Sequence, residues 1–290
     1  MADKETGTID MAQPQRRIIL KSPRELAIMR EADRIVADTL VLLADNARPG
    51  ITTRELDNLS AAHIRSRGGE PSFPLVKFDG ATCISVNEEI VHGIPGTRVL
   101  AEGDIVSLDV GVVYQGWHGD AAITAPVGRI SAEAQRLLDV TRQALAIAIS
   151  KVGPRSHLYE IGAAVEDYIA AEGLGLVRQY VGHGIGRSMW EEPQVPNYRP
   201  EKGGRGPLLQ PGMVIAVEPM VNLGRDETRA LDDKWTVVTA DGSLSAHFEH
   251  SVAVTAAGYE ILSRPSDPSR MWGDPADYGL GRREGMEKTG

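Results

Sequence analysis

The chain of 290 residues has a single cysteine. That excludes a disulfide framework and any all-cysteine metal site. Aromatic residues are scarce at 5%, so each tryptophan and phenylalanine is worth placing individually. No apolar run approaches the roughly 18 residues needed to span a bilayer. The opening Met-Ala-Asp-Lys-Glu-Thr-Gly lacks the charged-then-apolar layout of a secretory signal. Positive charge is the minority, with 31 Lys and Arg against 40 Asp and Glu and a net charge of −9. That balance argues against an extended nucleic-acid footprint. No glycine-rich phosphate loop follows a strand, so nucleotide binding has no support. These absences leave a chain expected in the cytoplasm, off the membrane, and long enough to bury one large core.

Hydrophobic residues make up 42% and charged residues 24%, as in ordinary globular proteins. Both ends read as loose. Residues 1–17 carry no apolar period, and residues 263–290 open with Ser-Arg-Pro-Ser-Asp-Pro-Ser-Arg and continue rich in Gly and charge. Both are expected to be disordered, which leaves residues 18–262 as the compact domain. Ser22-Pro23-Arg24-Glu25 predicts a capped helix start, followed by Leu26, Met29, Ala32, Val36, Leu40 and Leu43 on one stripe. Thr52 and Glu55 predict a second capped helix. The pattern then recurs: helices near Ser131 and over Ile161 to Ile169 follow, with Glu55-Leu56 and Gly68 matched at one offset by Glu160-Ile161 and Gly173. Two related α/β halves about a pseudo-two-fold axis are expected. The strands are short and turn-rich, so the sheet should be largely antiparallel. Hairpins are predicted at Tyr114-Gln115 and at Asp241-Gly242.

A turn at Tyr114-Gln115 sets Asp109 directly opposite Asp120, with Cβ atoms about 4.5–5.5 Å apart. Like charges facing each other between apolar neighbours destabilise a sheet unless one is protonated or a cation lies between them. Three further residues sit in similarly odd places. Glu218 ends the apolar run Val214 to Val217, Glu249 interrupts Ala246 to Val254, and His183 lies between Gly182 and Gly184. Singly, a strand Glu is more often an edge residue and a His more often a satisfied core group. Together, four carboxylates and one imidazole match two divalent cations, a standard means of activating water. Cys83 reads as a small buried hydrophobe. His118, His157 and His247 have no partner readable from sequence.

The stretches Ser85 to Pro95, Asp109 to Asp120, Gly182 to Arg187, Glu191 to Tyr198, Ala216 to Met220 and Phe248-Glu249-His250 resemble the type I methionine aminopeptidases, in order over residues 18–262. The resemblance implies the pita-bread (creatinase/aminopeptidase) fold, an α/β arrangement of two pseudo-symmetric halves around a largely antiparallel sheet. It implies removal of the initiator methionine from nascent chains whose second residue is small. By the same resemblance Asp109 binds one metal, His183 and Glu218 bind the other, and Asp120 and Glu249 bridge both. The ions would be two of Mn, Fe, Co or Zn. A water held between them attacks the scissile carbonyl, His92 steadies the substrate amide, and Glu218 shuttles a proton. The implied partners are nascent polypeptide N-termini; the Lys202–Gly206 stretch reads as a mobile loop, with contact to the ribosome near its tunnel exit as the alternative. The chain would act as a monomer.

Departures from the family pattern concern the substrate side. Trp190 stands where the family has a histidine that contacts substrate, and Met189 stands where an aromatic residue is usual. Phe78-Asp79-Gly80-Ala81-Thr82-Cys83 replaces a segment with Tyr-Pro before the cysteine. Leu75, Phe78, Cys83, Met189, Trp190 and Trp235 are expected to form a remodelled, still apolar methionine pocket. Two alternatives stay open: another pita-bread hydrolase of the Xaa-Pro aminopeptidase or prolidase kind, and a weakly active or non-enzymatic peptide binder because of Trp190.

Overall fold

The computed structural model describes residues 17–280, so the expected looseness of 1–16 and 281–290 lies outside the described residues. Helix α1 (Pro23–Asn46) starts as expected. The Ser22 hydroxyl accepts from the Glu25 N–H, the Glu25 carboxylate accepts from the Ser22 N–H, and Pro23 takes the first turn. Helix α2 (Thr53–Ser66) repeats that box with Thr52 and Glu55. Five strands follow: β1 (Glu70–Pro71), β2 (Cys83–Val86), β3 (Glu89–Val91), β4 (Ile105–Tyr114) and β5 (Trp117–Pro126). A second helix pair then appears. Helix α3 (Ala132–Ser150) is capped by Ser131, and α4 (Tyr159–Glu172) ends at Gly173 in the left-handed region, φ 68°. Ten strands complete the chain: β6 (Gly175–Leu176), β7 (Gly182–Gly184), β8 (Glu191–Val195), β9 (Val214–Val217), β10 (Met220–Asn222), β11 (Thr228–Ala230), β12 (Val237–Thr239), β13 (Ser245–His247), β14 (His250–Thr255) and β15 (Gly258–Ile261).

The helix-pair-then-strands order occurs twice, as the internal repeat predicts. The strands form four small sheets: β1-β4-β2 with β5 on β4, β13-β10-β6, β11-β12-β3, and β15-β14-β9-β7-β8. Every pairing among the named strands is antiparallel. Helix α1 lies along β4 and β5 and buries Met29, Ile35, Val36, Leu40 and Leu43 there, while α3 packs on α4. No described helix is long and apolar enough to cross a membrane.

Three expectations are corrected. The first hairpin turns at Gln115-Gly116, with φ 49° and 77°, not at Tyr114-Gln115. Both central residues of this turn are left-handed, and the glycine takes the second place at no steric cost. The register moves accordingly: Asp109 pairs with Ala122 and Asp120 with Gly111, so the two aspartates are diagonal neighbours on one face. Asp241-Gly242 closes no hairpin, because β12 pairs with β11 and β3 while β13 pairs with β10. The Asp241 carboxylate instead accepts from the Arg225 and Ser243 N–H groups, which draws the turn towards the loop after β10.

The third correction concerns the expected disordered tail. Over 263–280 it is folded, with short 3-10 turns at Pro268–Arg270 and Pro275–Tyr278. Trp272 is only 6% exposed and stacks on His250, ring centroids 4.7 Å apart. His250 also donates from Nε2 to the Trp272 carbonyl at 2.7 Å. A polar average composition hid one large apolar anchor.

Candidate metal centre

Two strand pairs deliver two of the carboxylates. Strands β9 and β14 pair as far as Val217 and His250, and β10 and β13 pair from Met220 and His247. Between these ladders both chains leave one sheet and enter another, and Glu218 and Glu249 sit in the break. Neither glutamate is therefore tied to a ladder position. Asp109 and Asp120 come from the β4–β5 hairpin, where Gly111 stands opposite Asp120. A Cβ on Gly111 would come within 2.9 Å of the Met189 side chain. His183 comes from β7, where a Cβ on Gly182 or Gly184 would run into backbone oxygens at 2.3 and 2.2 Å. Those glycines let β7 approach its neighbours closely.

The five residues converge. His183 Nε2 is 3.6 Å from Glu218 Oε1 and 3.8 Å from Asp120 Oδ2. One ligand atom each from Asp120, His183 and Glu249 lie within 4.8 Å of one another. His183 Nδ1 donates to the Gly184 carbonyl at 2.9 Å, which fixes the tautomer and leaves the Nε2 lone pair facing the carboxylates. Among the described residues no lysine or arginine pairs with these acids. Asp109 Oδ1, Asp120 Oδ1 and Glu249 Oε1 are buried without a hydrogen-bond partner. Buried carboxylate oxygens are normally satisfied, and three orphans in one cluster call for a cation of matching charge.

The proton affinities follow from the same crowding. Burial raises the Asp109 carboxyl to about 7. Burial, then the charges of Asp109 and Glu218, push Asp120 well above the usual range. Glu218 is raised by burial and then by Asp109, and Glu249 by burial and then by Asp120 and Glu218. His183 is lowered to about 4 by burial, so its ring is neutral, the form that ligates a metal. The donors fit divalent ions of the kind that accept mixed carboxylate and imidazole ligands.

Supports lie one layer out. The Asp120 N–H donates to Asp33 Oδ1 at 3.1 Å, and the Ser251 hydroxyl donates to the Asp120 carbonyl at 2.9 Å. Trp272 Nε1 donates to the Glu249 carbonyl, and Asn197 Nδ2 to the Glu218 carbonyl at 3.0 Å. A buried Lys21–Glu191 pair at 2.8 Å, with Glu191 also accepting from the Arg187 and Ser188 N–H groups, holds the loop that presents Met189 and Trp190.

All five expected ligands face one cavity of about 260 Å³, and His92, Met189 and Trp190 line it too. His92 has φ 59° and packs edge-on to Tyr180 and Trp235, with centroids 5.9 and 6.0 Å away; burial lowers its pKa to about 4. Phe78 and Cys83 cluster with Phe73 and Met189, and Trp235 packs against that cluster edge-on to Phe78 at 5.3 Å. Phe78, Cys83 and Trp235 back the cavity rather than face it. Leu75 is a clear misplacement: it is 66% exposed on a 3-10 turn, and Phe73 of that turn supplies the cavity face. Sequence reasoning also missed His247 and Tyr180. The signal for His247 was present, since residues two apart on an extended chain share a face and Glu249 is two residues on.

The profile of metallopeptidase family M24 matches residues 27–256. Methionine aminopeptidase 1 of Bacillus subtilis is 50% identical over 248 residues, covering 85% of this chain and 99% of that protein. The crystal structure of methionine aminopeptidase from Rickettsia prowazekii superposes with a TM-score of 0.83 at 38% identity, over 85% of this chain and 100% of that one. A prolidase from Pyrococcus furiosus superposes with a TM-score of 0.71 at 21% identity, over 86% of this chain and 66% of that one, a likeness of fold alone.

Proposed function

The chain belongs to metallopeptidase family M24, among its methionine aminopeptidases of pita-bread fold, and from that premise we propose how its own residues perform the reaction. Two divalent ions would be held here by Asp109, Asp120, His183, Glu218 and Glu249. The observation behind this reading is the trio of orphaned carboxylate oxygens beside a tautomer-fixed imidazole. When bound, such ions activate water and polarise a carbonyl.

The chain's residues do the rest. The methionine side chain lies against Phe73 and Met189, backed by Phe78, Cys83 and Trp235. His92, neutral because of its burial, offers a ring N–H to the substrate amide without adding charge. Glu218 takes a proton at one carboxylate oxygen and returns it to the leaving nitrogen. Trp190 lines the cavity and is 46% exposed, so it would meet the substrate near the cavity mouth. Its indole donates one hydrogen bond and accepts none. All five donors come from one chain, so the site is complete without a second subunit. The chain would act as a monomer in the cytoplasm on nascent N-termini near the ribosome, in keeping with the methionine aminopeptidases it resembles.

Metal analysis of the purified protein with a Met-Ala-Ser hydrolysis assay tests this. The expected result is two divalent ions per chain and release of free methionine. Ion uptake without methionine release would favour the peptide binder that Trp190 leaves open.

A further inference from the structure

His247 is 2% exposed, ends strand β13, and faces the cavity beside the expected ligands. Its Nε2 is 3.9 Å from Glu218 Oε2 and 3.9 Å from Glu249 Oε2, and it has no hydrogen-bond partner. A separation of 3.9 Å is too long for a hydrogen bond. It does suit two donors on one ion. Donors each about 2.1 Å from a metal lie about 3 Å apart at right angles and about 4.2 Å apart when opposed. His183 supplies the internal yardstick, standing 3.6 and 3.8 Å from its own two carboxylates. Glu218 thus presents Oε1 to one imidazole and Oε2 to the other.

The backbone of His247 is fixed as a ligand's should be. Its N–H donates to Thr124 Oγ1 at 2.8 Å, and the Thr124 hydroxyl donates back to its carbonyl at 2.9 Å. Thr124 lies on β5, the strand that carries Asp120, so the two walls of the centre are tied at this point.

We propose that His247 is a sixth donor residue, its Nε2 binding the ion held by Glu218 and Glu249. The inference rests on the metal-centre reading above. A second imidazole moves the donor set towards ions that favour nitrogen, such as Co, Fe and Zn, over those that favour oxygen alone.

Cobalt titration of the full-length wild type and of His247→Gln, followed by calorimetry and visible absorption, reads this directly. Glutamine keeps the polarity of the side chain but removes the imidazole nitrogen. The expected result is at least a tenfold weaker cobalt step and altered visible bands in the variant. An unchanged isotherm and spectrum overturns the proposal while leaving the centre itself intact. A wild type that takes up no cobalt overturns the metal-centre reading and this proposal with it. Should His247→Gln fail to fold, a structure of the cobalt-loaded wild type decides: Nε2 about 2.1 Å from the ion supports the proposal, and any separation beyond bonding distance ends it.

Discussion

The two walls of the cavity are built on opposite principles. The apolar wall buries Phe73, Phe78, Cys83 and Met189 at 1–4% exposure, with Phe78 tilted against Phe73 and edge-on to Trp235, so folding alone stabilises it. The ligand wall buries Asp120 and Glu249 beside Asp109 and Glu218 with oxygens left unpaired, an arrangement that burial and like charge oppose. The boundary between the walls is one residue pair wide, because Cys83 on β2 is the direct cross-strand partner of Asp109 on β4. The contrast teaches where stability and chemistry are kept apart: one wall holds the fold, and the other is held by what binds it.

The largest effect should come from emptying the ligand wall of one charge. Asp109→Asn is expected to lower kcat/KM at least a hundredfold, while the metal-free variant unfolds no more easily than the metal-free wild type. Wild-type turnover with wild-type metal content would sink the dimetal reading. The same wall predicts a pH dependence. Burial raises the folded pKa of Asp109 to about 7 and pushes Asp120, Glu218 and Glu249 up as well. A carboxyl with a raised folded pKa holds a proton that the unfolded chain releases. The contribution of these four carboxyls to metal-free stability is therefore full below about pH 4 and is lost as pH rises, for Asp109 through about 7. Ions bind the ionised carboxylates, so the Tm gap between loaded and chelated protein should widen over that window. A constant gap would break the comparison.

Next in size is removal of the tail from residue 263. It strips Trp272 from His250 and takes an indole N–H from the Glu249 carbonyl. Losing a buried tryptophan costs on the order of 3–5 kcal/mol, which in a domain of this size lowers Tm by roughly 10 °C. Thermal melts of a chain ending at Leu262 check it, and a shift under about 2 °C would show that the tail is decorative.

The sequence carried most of the ligand wall and much less of the apolar one, for a physical reason. Asp and Glu are out of place among Val and Ile, so Asp109, Asp120, Glu218 and Glu249 announce themselves. Apolar residues are at home anywhere, so nothing in the composition separated the cavity-facing Phe73 from the exposed Leu75. Helix starts were legible because Ser22 with Glu25 and Thr52 with Glu55 are local signals. The register of the first hairpin was not, since Tyr114-Gln115 and Gln115-Gly116 both offer turns, and only the left-handed pair Gln115-Gly116 matches the strand twist. His250 and Trp272 find each other across 22 residues, beyond any local pattern.

The smallest and most discriminating effect concerns Trp190, which stands at the junction of the walls. It is half-exposed at the rim, so the indole does not plug the cavity, and its neighbour Met189 is buried in the apolar wall. The loop bearing both is fixed by the Lys21–Glu191 pair, so exchanging one side chain should leave the backbone in place. An imidazole at this position can both donate to and accept from a substrate amide, whereas the indole only donates. A donor aimed at developing charge contributes a few kcal/mol, or about two to three decades in rate. Only part of that should be recovered here, because the indole already donates one hydrogen bond and the imidazole adds chiefly an acceptor. Trp190→His is therefore expected to raise kcat/KM for Met-Ala-Ser about tenfold at equal metal loading. The gain should fall on kcat more than on KM, since the methionine side chain binds elsewhere. An unchanged or lower kcat/KM would mean that the rim has been rebuilt around the indole, and that the division into two independent walls fails at the residue that joins them.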